Sequence, residues 1–146
     1  MNMWQFAATF FYIGKLPFAP GTWVSLVILI LWIFLPLSYF LQFIVILILF
    51  SVGVISSKKT ADAMNAHDPS EVVIDEATGM GIALFMLPHS IAIYSLAFIL
   101  FRIFDIFKPS FIYKAQNLPG GWGIMLDDVL AGIFTLLICR GLLTVL

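Results

Sequence analysis

The chain has 146 residues, of which 62% are hydrophobic and only 10% are charged, with a net charge of −1. Soluble domains carry about a quarter charged residues, so this composition excludes an ordinary soluble domain and predicts one integral membrane domain, residues 1–146. No basic run is present to neutralise phosphates along a strand, which excludes nucleic-acid binding, and Cys139 is the only cysteine, which excludes a disulfide framework or a cysteine-rich metal site.

The first third of the chain predicts a short helix followed by a helical hairpin. Residues 1–13 are apolar with few polar breaks, which is typical of a short helix on or in a membrane. Two prolines and two glycines over residues 14–21 indicate a loop, after which Thr22 is suited to cap a helix. The charge-free run that follows is too long for one span of about 20 residues, so we expect Pro36 to divide it into antiparallel helices. These helices are expected over about residues 22–35 and 38–56.

The rest of the chain predicts a second hairpin and a C-terminal helix. The polar stretch 57–71 is expected to begin as a helical extension and to end at residues 68–69, because helices usually stop before a proline. A second charge-free run after Glu76 is divided at Pro88. A loop over residues 109–123 then precedes the last helix. The three helices are expected over about residues 75–87, 90–106 and 124–143.

This division predicts an all-α membrane bundle of about four to five membrane helices, arranged as two hairpins plus a C-terminal helix. The loops at 14–21, 57–76 and 107–123 then share one side of the bilayer, and the turns at Pro36 and Pro88 share the other. Cytoplasmic loops carry an excess of lysine and arginine, so the loop side is predicted to be cytoplasmic. Five lysines lie on that side: Lys15, Lys58, Lys59, Lys108 and Lys114.

Two pairs of adjacent carboxylates, Asp75-Glu76 and Asp127-Asp128, begin apolar helices on this predicted cytoplasmic side. Neighbours on a helix point about 100° apart, so in each pair one is expected to bind a metal and the other to support it or act as a base. All-oxygen ligands suit Mg²⁺. The alternative is a solvated helix start, where the helix dipole favours acids, but two pairs in so charge-poor a chain favour the metal site.

A polar stripe at the end of the second hairpin is suited to phosphate binding. Arg102, Asp105 and Lys108 are spaced at i, i+3 and i+6, which places them on one helix face. The two cations can hold a phosphate, with Asp105 as a metal ligand or base. The alternative is a local salt bridge between Arg102 and Asp105 at the end of a membrane helix.

Weaker candidates lie in the loops. Backbone N–H groups beside helix starts bind anions, so Gly21 and Thr22, together with Lys15, are candidate phosphate contacts. His67 beside Asp68 is a candidate metal ligand or acid–base group, although a histidine at a turn more often makes a local hydrogen bond.

The sequence lacks the motifs that a covalent phosphoenzyme mechanism would require. No cysteine is followed five residues later by arginine, and the chain has only two histidines, so a covalent phosphoenzyme is poorly supported. Metal-assisted attack by water remains.

Four ordered blocks of sequence resemble the phosphatidylglycerophosphatase A family of bacteria. The resemblance extends from about Gly14 to Gly141, with two departures: Val24 and Phe111 stand where a glycine and a proline are expected, which affects loop shape rather than chemistry. The blocks are Ala19–Thr22, Val73–Gly79, Phe101–Asp105 with Lys108-Pro109, and Gly120–Asp128.

The resemblance implies an Mg²⁺-dependent enzyme that hydrolyses the terminal phosphate of phosphatidylglycerophosphate to give phosphatidylglycerol in phospholipid biosynthesis. It implies a multi-pass protein of the bacterial inner membrane with its active site facing the cytoplasm. The acidic pairs match the acidic blocks of the family, and Arg102, Asp105 and Lys108 match its third block.

Our predicted mechanism combines these residues in one site. The metal is held by Glu76 together with one or more of Asp75, Asp127 and Asp128. A water molecule attacks the phosphate in line, and Asp105 acts as the base. Arg102 and Lys108 neutralise the phosphate oxygens.

Two other functions remain open at this point. A small proton- or cation-coupled transporter would use Asp75, Glu76 and Arg102 as a relay, but transporters bind their ions near the bilayer midplane and these residues lie at helix ends. A structural assembly subunit would tolerate the loss of all four acids. The oligomeric state is not determined by the sequence.

Overall fold

The computed structural model describes residues 2–67 and 69–145 and contains only helices and connecting turns within them. The predicted all-α class is therefore confirmed. The helices are α1 (Met3–Ala8), α2 (Pro20–Phe34), α3 (Tyr39–Ala63), α4 (Ile74–Leu84), α5 (Ile91–Phe107), α6 (Ser110–Lys114) and α7 (Gly121–Val145), with short 3₁₀ turns at Ile13–Lys15 and Ala115–Asn117.

Helix α2 starts earlier than expected, and the predicted Thr22 cap is wrong. Ala19 is the cap residue, in the left-handed conformation with φ +47°, and Pro20 occupies the first helical position. Proline is favoured there because its fixed φ suits the helix and its missing N–H would have no partner in any case. Thr22 consequently lies inside the first turn.

Helix α3 continues to Ala63, which confirms the predicted helical extension beyond the apolar run. It stops before residues 68–69, since Asn65 already has a left-handed φ of +52°, and Asp68 lies outside the described residues. The predicted loop over 109–123 is wrong in part, because it contains the short helix α6. Five residues are too few for a hydrophobic period to reveal a helix.

Two helices, α3 and α7, are long and apolar enough to cross a membrane, with 25 residues each. Helix α4 has only 11 residues, a length of about 16 Å at 1.5 Å per residue, well short of the roughly 30 Å hydrocarbon core. Large side chains such as Phe34, Phe40 and Phe107 are more than 70% exposed. The apolar surface and the two long helices indicate membrane association.

The hairpin turns meet at one end of the bundle. Gln42 joins them, since its Oε1 accepts from the Met86 N–H at 3.1 Å and its Nε2 donates to the Leu37 carbonyl at 3.2 Å. His89 Nε2 lies 2.8 Å from the Ile33 carbonyl oxygen, and Arg140 donates to the Met86 carbonyl. The turns at Pro36 and Pro88 therefore share one end, as predicted.

The loops meet at the opposite end. Lys15 Nζ lies 2.6 Å from the Glu71 carboxylate, and the Lys58 side chain lies beside Gly120. The backbone N–H of Val73 donates to the Ala8 carbonyl at 2.9 Å, which ties the start of α4 to the N-terminal helix. The three predicted loops thus surround the start of α4.

Helices α4 and α7 pack with their backbones in contact. A Cβ at Gly79 would lie 2.6 Å from the carbonyl oxygen of Asp128, and Gly132 faces the carbonyl of Gly79 in the same way. Small residues permit such close approach between membrane helices. Gly79 therefore admits a neighbouring helix, and the contact brings the two acidic pairs together.

Candidate active site

A cavity of about 400 Å³ opens at the loop end of the bundle. Its walls come from the start of α2, the loop before α4, the first turn of α4, the last turns of α5 and one residue of α7. Seven predicted site residues line it: Gly21, Asp75, Glu76, Arg102, Asp105, Lys108 and Asp128. Residues more than 100 positions apart in the chain therefore form one site.

The carboxylates form two overlapping groups. In each group the oxygen atoms that could bind a cation lie within 4.8 Å of one another, and Asp128 belongs to both. Four of the five carboxylates are buried and Glu76 is half-buried. Like charges so close in a buried site disfavour one another's ionised form unless a cation compensates them. The groups are Asp75, Asp127 and Asp128, and Glu76, Asp105 and Asp128.

The helix geometry explains how the pairs are distributed. Asp75 and Glu76 are consecutive in α4, so their side chains diverge by about 100° and enter different groups. Asp127 and Asp128 diverge in the same way, yet Asp128 reaches both groups. Asp105 joins from α5, as the fifth carboxylate.

Arg102 lies among the carboxylates. Its Nη1 is 2.6 Å from Asp105 Oδ2 and 3.8 Å from Glu76 Oε1. The local salt bridge considered above is therefore present, but it lies in the cavity wall rather than apart from it. From this position the guanidinium group of Arg102 can exchange its carboxylate partner for a bound phosphate.

Lys108 is the second cation of the cavity, and its backbone conformation directs it there. It ends α5 in the left-handed conformation with φ +42°, and Pro109 follows. Its Nζ contacts the Asp127 carboxylate and lies 3.9 Å from Asp105 Oδ1. Burial opposes its charge, but the attraction of Asp128 and the hydrogen bond to Asp127 outweigh burial and raise the pKa of Lys108. The ammonium group therefore stays charged throughout the neutral range.

Gly21 makes room for Glu76. A Cβ at this position would overlap the Glu76 carboxylate, so only glycine lets that carboxylate lie against the first turn of α2. The positive end of a helix dipole favours an anion there. Gly21, a predicted phosphate contact, thus lies against a carboxylate in the structure.

Several predicted residues are not brought into the cavity. Lys15 pairs with Glu71, and neither it nor Thr22 lines the cavity. His67 is exposed and borders a separate depression beside Lys58 and Asp62. Asp68 lies outside the described residues.

Two polar residues near the carboxylates were not anticipated. Ser70 lines the cavity, and Gln116 Nε2 donates to Asp127 Oδ2 at 3.1 Å. Both lie in connecting segments, where no hydrophobic period indicates which side chains turn inward. No signal in the sequence distinguished them.

The fold and the site together define a class of protein: a membrane-associated helical enzyme whose acidic cavity can bind a cation. Comparison with known proteins identifies the class more closely. The family model for phosphatidylglycerophosphatase A matches residues 6–143, and the chain belongs to this family. No solved structure matches it significantly.

Individual relatives agree with the family assignment. The phosphatidylglycerophosphatase A of Escherichia coli is 36% identical over 137 residues, covering 92% of this chain and 80% of the relative. That of Haemophilus influenzae is 38% identical over 144 residues, covering 94% and 87%. A Bacteroides thetaiotaomicron protein provisionally named a phosphatidylinositol-3-phosphatase is 39% identical over 135 residues, covering 86% and 84%.

These matches confirm the resemblance seen in the sequence. The predicted enzyme class is confirmed with it: the chain is a phosphatase of the phosphatidylglycerophosphatase A family that acts on a phosphate monoester.

Proposed function

We propose that this single-domain protein is a magnesium-dependent phosphatidylglycerophosphatase of the bacterial inner membrane, which releases the terminal phosphate of phosphatidylglycerophosphate. One observation carries the proposal: five carboxylates, an arginine and a lysine converge at the loop end of an apolar bundle. A metal-assisted phosphatase needs both halves of this set, because oxygen ligands hold the cation and fixed cations bind the phosphate.

The carboxylates fit Mg²⁺, which prefers hard oxygen ligands and keeps some of its waters. Oδ1 of Asp128 is buried and has no hydrogen-bond partner among residues 2–67 and 69–145, so a cation there would satisfy it. We assign Glu76, Asp105 and Asp128 as the residues that hold the ion. Asp105 thereby becomes a ligand rather than the base assigned from sequence. When bound, Mg²⁺ supplies a Lewis acid that polarises a phosphoryl oxygen.

The remaining residues bind the substrate and move the proton. Arg102 and Lys108 bind the phosphoryl oxygens and stabilise the charge that develops on them. Asp75 lines the cavity outside the ion-holding group, and we assign it as the base that takes a proton from the attacking water. The leaving glycerol oxygen takes its proton from water at the open mouth of the cavity.

The surroundings of the cavity suit a lipid. Leu16, Phe18 and Trp23 are exposed and flank the segment Ala19–Gly21, which lines the cavity. An apolar surface next to a phosphate site is suited to a substrate whose acyl chains stay in the bilayer. The same end carries the five lysines, so the positive-inside rule favours a cytoplasmic position for it, with the helices other than α3 and α7 completing a multi-pass bundle.

The transporter alternative receives no support. The carboxylates lie at one end of the bundle rather than midway along it, whereas transporters bind their ions near the bilayer midplane. Membership of a phosphatase family argues in the same direction.

Phosphate release from purified protein in mixed micelles tests the proposal. We expect release from phosphatidylglycerophosphate with Mg²⁺, none with a chelator, and recovery when Mg²⁺ is restored. Phosphatidylinositol 3-phosphate is the informative competitor, given the name of the Bacteroides relative. Faster release from that lipid would overturn the substrate assignment, and release that persists in chelator would overturn the metal.

A further inference from the structure

The two carboxylate groups offer two overlapping positions for a cation, but the two positions differ. In the group of Asp75, Asp127 and Asp128, both oxygens of Asp127 are already engaged. Its Oδ1 accepts from the backbone N–H of Asp128 at 2.9 Å. Its Oδ2 accepts from Gln116 at 3.1 Å and from the ammonium group of Lys108. A positive charge therefore already lies against this group.

The group of Glu76, Asp105 and Asp128 also has a cation nearby, since Arg102 Nη1 lies 3.8 Å from Glu76 Oε1, but this distance exceeds that of a hydrogen bond. Arg102 donates to Oδ2 of Asp105 at 2.6 Å, whereas Asp105 Oδ1 lies 3.9 Å from Lys108 Nζ, beyond hydrogen-bond distance. Asp128 is only 1% exposed, and its Oδ1 has no hydrogen-bond partner within the described part of the chain. A buried carboxylate oxygen without a donor calls for another partner, and a bound cation would supply one.

Lys108 is held in place from several directions. Its left-handed backbone conformation and the following Pro109 fix the turn at the end of α5, and Asp127 is fixed in turn by Gln116 and by the backbone of α7. A divalent ion in the same group would have to displace this ammonium group or lie beside it against charge repulsion.

We propose that Lys108 occupies the second of two overlapping cation positions, so that the protein binds one divalent ion where a two-metal phosphatase binds two. The inference rests on the proposed function in that the same cavity serves catalysis, yet it concerns ion binding and needs no substrate to be tested. It gives Lys108 a defined role as the fixed positive charge that stands in for a second metal. Removing that charge should open the group of Asp75, Asp127 and Asp128 to a second ion.

The test is the stoichiometry of Mn²⁺ bound to the full chain in detergent, measured from the free-ion electron paramagnetic resonance signal. We expect one ion per chain for wild type and two for Lys108→Met, with spectral broadening from neighbouring ions. Lys114→Met is the matched control, because Lys114 is exposed in α6, and it should bind one ion. Adding Asp127→Asn to Lys108→Met should return the count to one.

Other outcomes are equally decisive. Two ions in wild type would show that Lys108 is displaced, and one ion in folded Lys108→Met would show that its charge does not exclude a second; either overturns the inference. If Lys108→Met does not fold, Lys108→Gln replaces it with the same expectation. The proposed function fails separately: wild type that binds one ion but releases no phosphate contradicts the function and leaves the inference standing.

Discussion

At the scale of single residues, the site depends on where adjacent carboxylates point. The sequence showed that Asp75 and Glu76 diverge, but not which partners each would meet. The structure places them in different groups that share Asp128. Asp105 could be predicted as a member of the site but not as a companion of Glu76, because that pairing depends on how α5 lies against α4.

Gly21→Ala tests the support that α2 gives to Glu76. The added methyl group would overlap the Glu76 carboxylate and push it away from its position near the cation. We expect the Mg²⁺ concentration for half-maximal activity to rise about 10- to 100-fold, the range seen when a supporting partner of a metal ligand is lost. Gly141→Ala is the control, since nothing lies within 4 Å of a Cβ there; equal Mg²⁺ requirements in the two variants would contradict the assignment.

At the scale of elements, prolines and glycines account for most of what the sequence predicted correctly. Pro36 and Pro88 located the hairpin turns, and the prolines and glycines of residues 14–21 located the first loop. Thr22 failed as a cap because Pro20 already fixed the start of α2. Helix α6 and the inward position of Gln116 could not be predicted, since both depend on tertiary contacts of a connecting segment.

The contact between α4 and α7 should be sensitive to one methyl group. Gly79→Ala would place a Cβ 2.6 Å from the Asp128 carbonyl oxygen, and overpacking of this kind destabilises by about 1–3 kcal/mol. Thermal unfolding in detergent should show a lower Tm. Gly141→Ala, in the same α7 but free of contacts, should instead gain roughly 0.5–1 kcal/mol from the lower flexibility of alanine. A Tm that rises in both variants would show that the helices are not in backbone contact at Gly79.

The segment before α2 should recognise the lipid part of the substrate. Phe18 is 79% exposed beside the cavity, and burying a phenylalanine against acyl chains is worth about 1.5–3 kcal/mol when complete. Phe18→Ser should therefore raise KM for phosphatidylglycerophosphate, leave kcat unchanged, and leave hydrolysis of the deacylated substrate unaffected. Phe40→Ser, at a residue that is 71% exposed at the far end of the bundle, should change neither; a matching rise in KM there would point to a general loss of membrane affinity.

At the scale of the whole molecule, composition predicted the membrane and the helices, but not how many helices cross it. Within the part of the chain that the structure describes, two helices are long and apolar enough to span a bilayer, whereas α4 is too short to do so alone. The two ends of the bundle carry different residues. The hairpin turns and Arg140 lie at one end, and the lysines and the described carboxylates lie at the other. The sequence predicted this separation, because charged loops alternate with charge-free runs along the chain.

Cysteine labelling in intact cells tests the orientation. In a Cys139→Ala background, His89→Cys should react with a membrane-impermeant maleimide, because the hairpin-turn end is expected to face away from the cytoplasm. Lys114→Cys should react only after the membrane is permeabilised. The reverse pattern would place the cavity on the outer face of the membrane and contradict the proposed orientation.

Asp128 joins both carboxylate groups of the cavity, and we propose that it holds the magnesium ion. Phosphate release from phosphatidylglycerophosphate, measured at saturating Mg²⁺ for wild type and Asp128→Asn, tests it most directly. Loss of a direct ligand should exceed the roughly 10- to 100-fold effect of losing a supporting residue, so we expect a drop of more than about 100-fold in a protein that remains folded. Asp62→Asn, which removes an exposed carboxylate outside the cavity, should keep wild-type activity. Full activity in folded Asp128→Asn would contradict the assignment of Asp128 as a metal ligand.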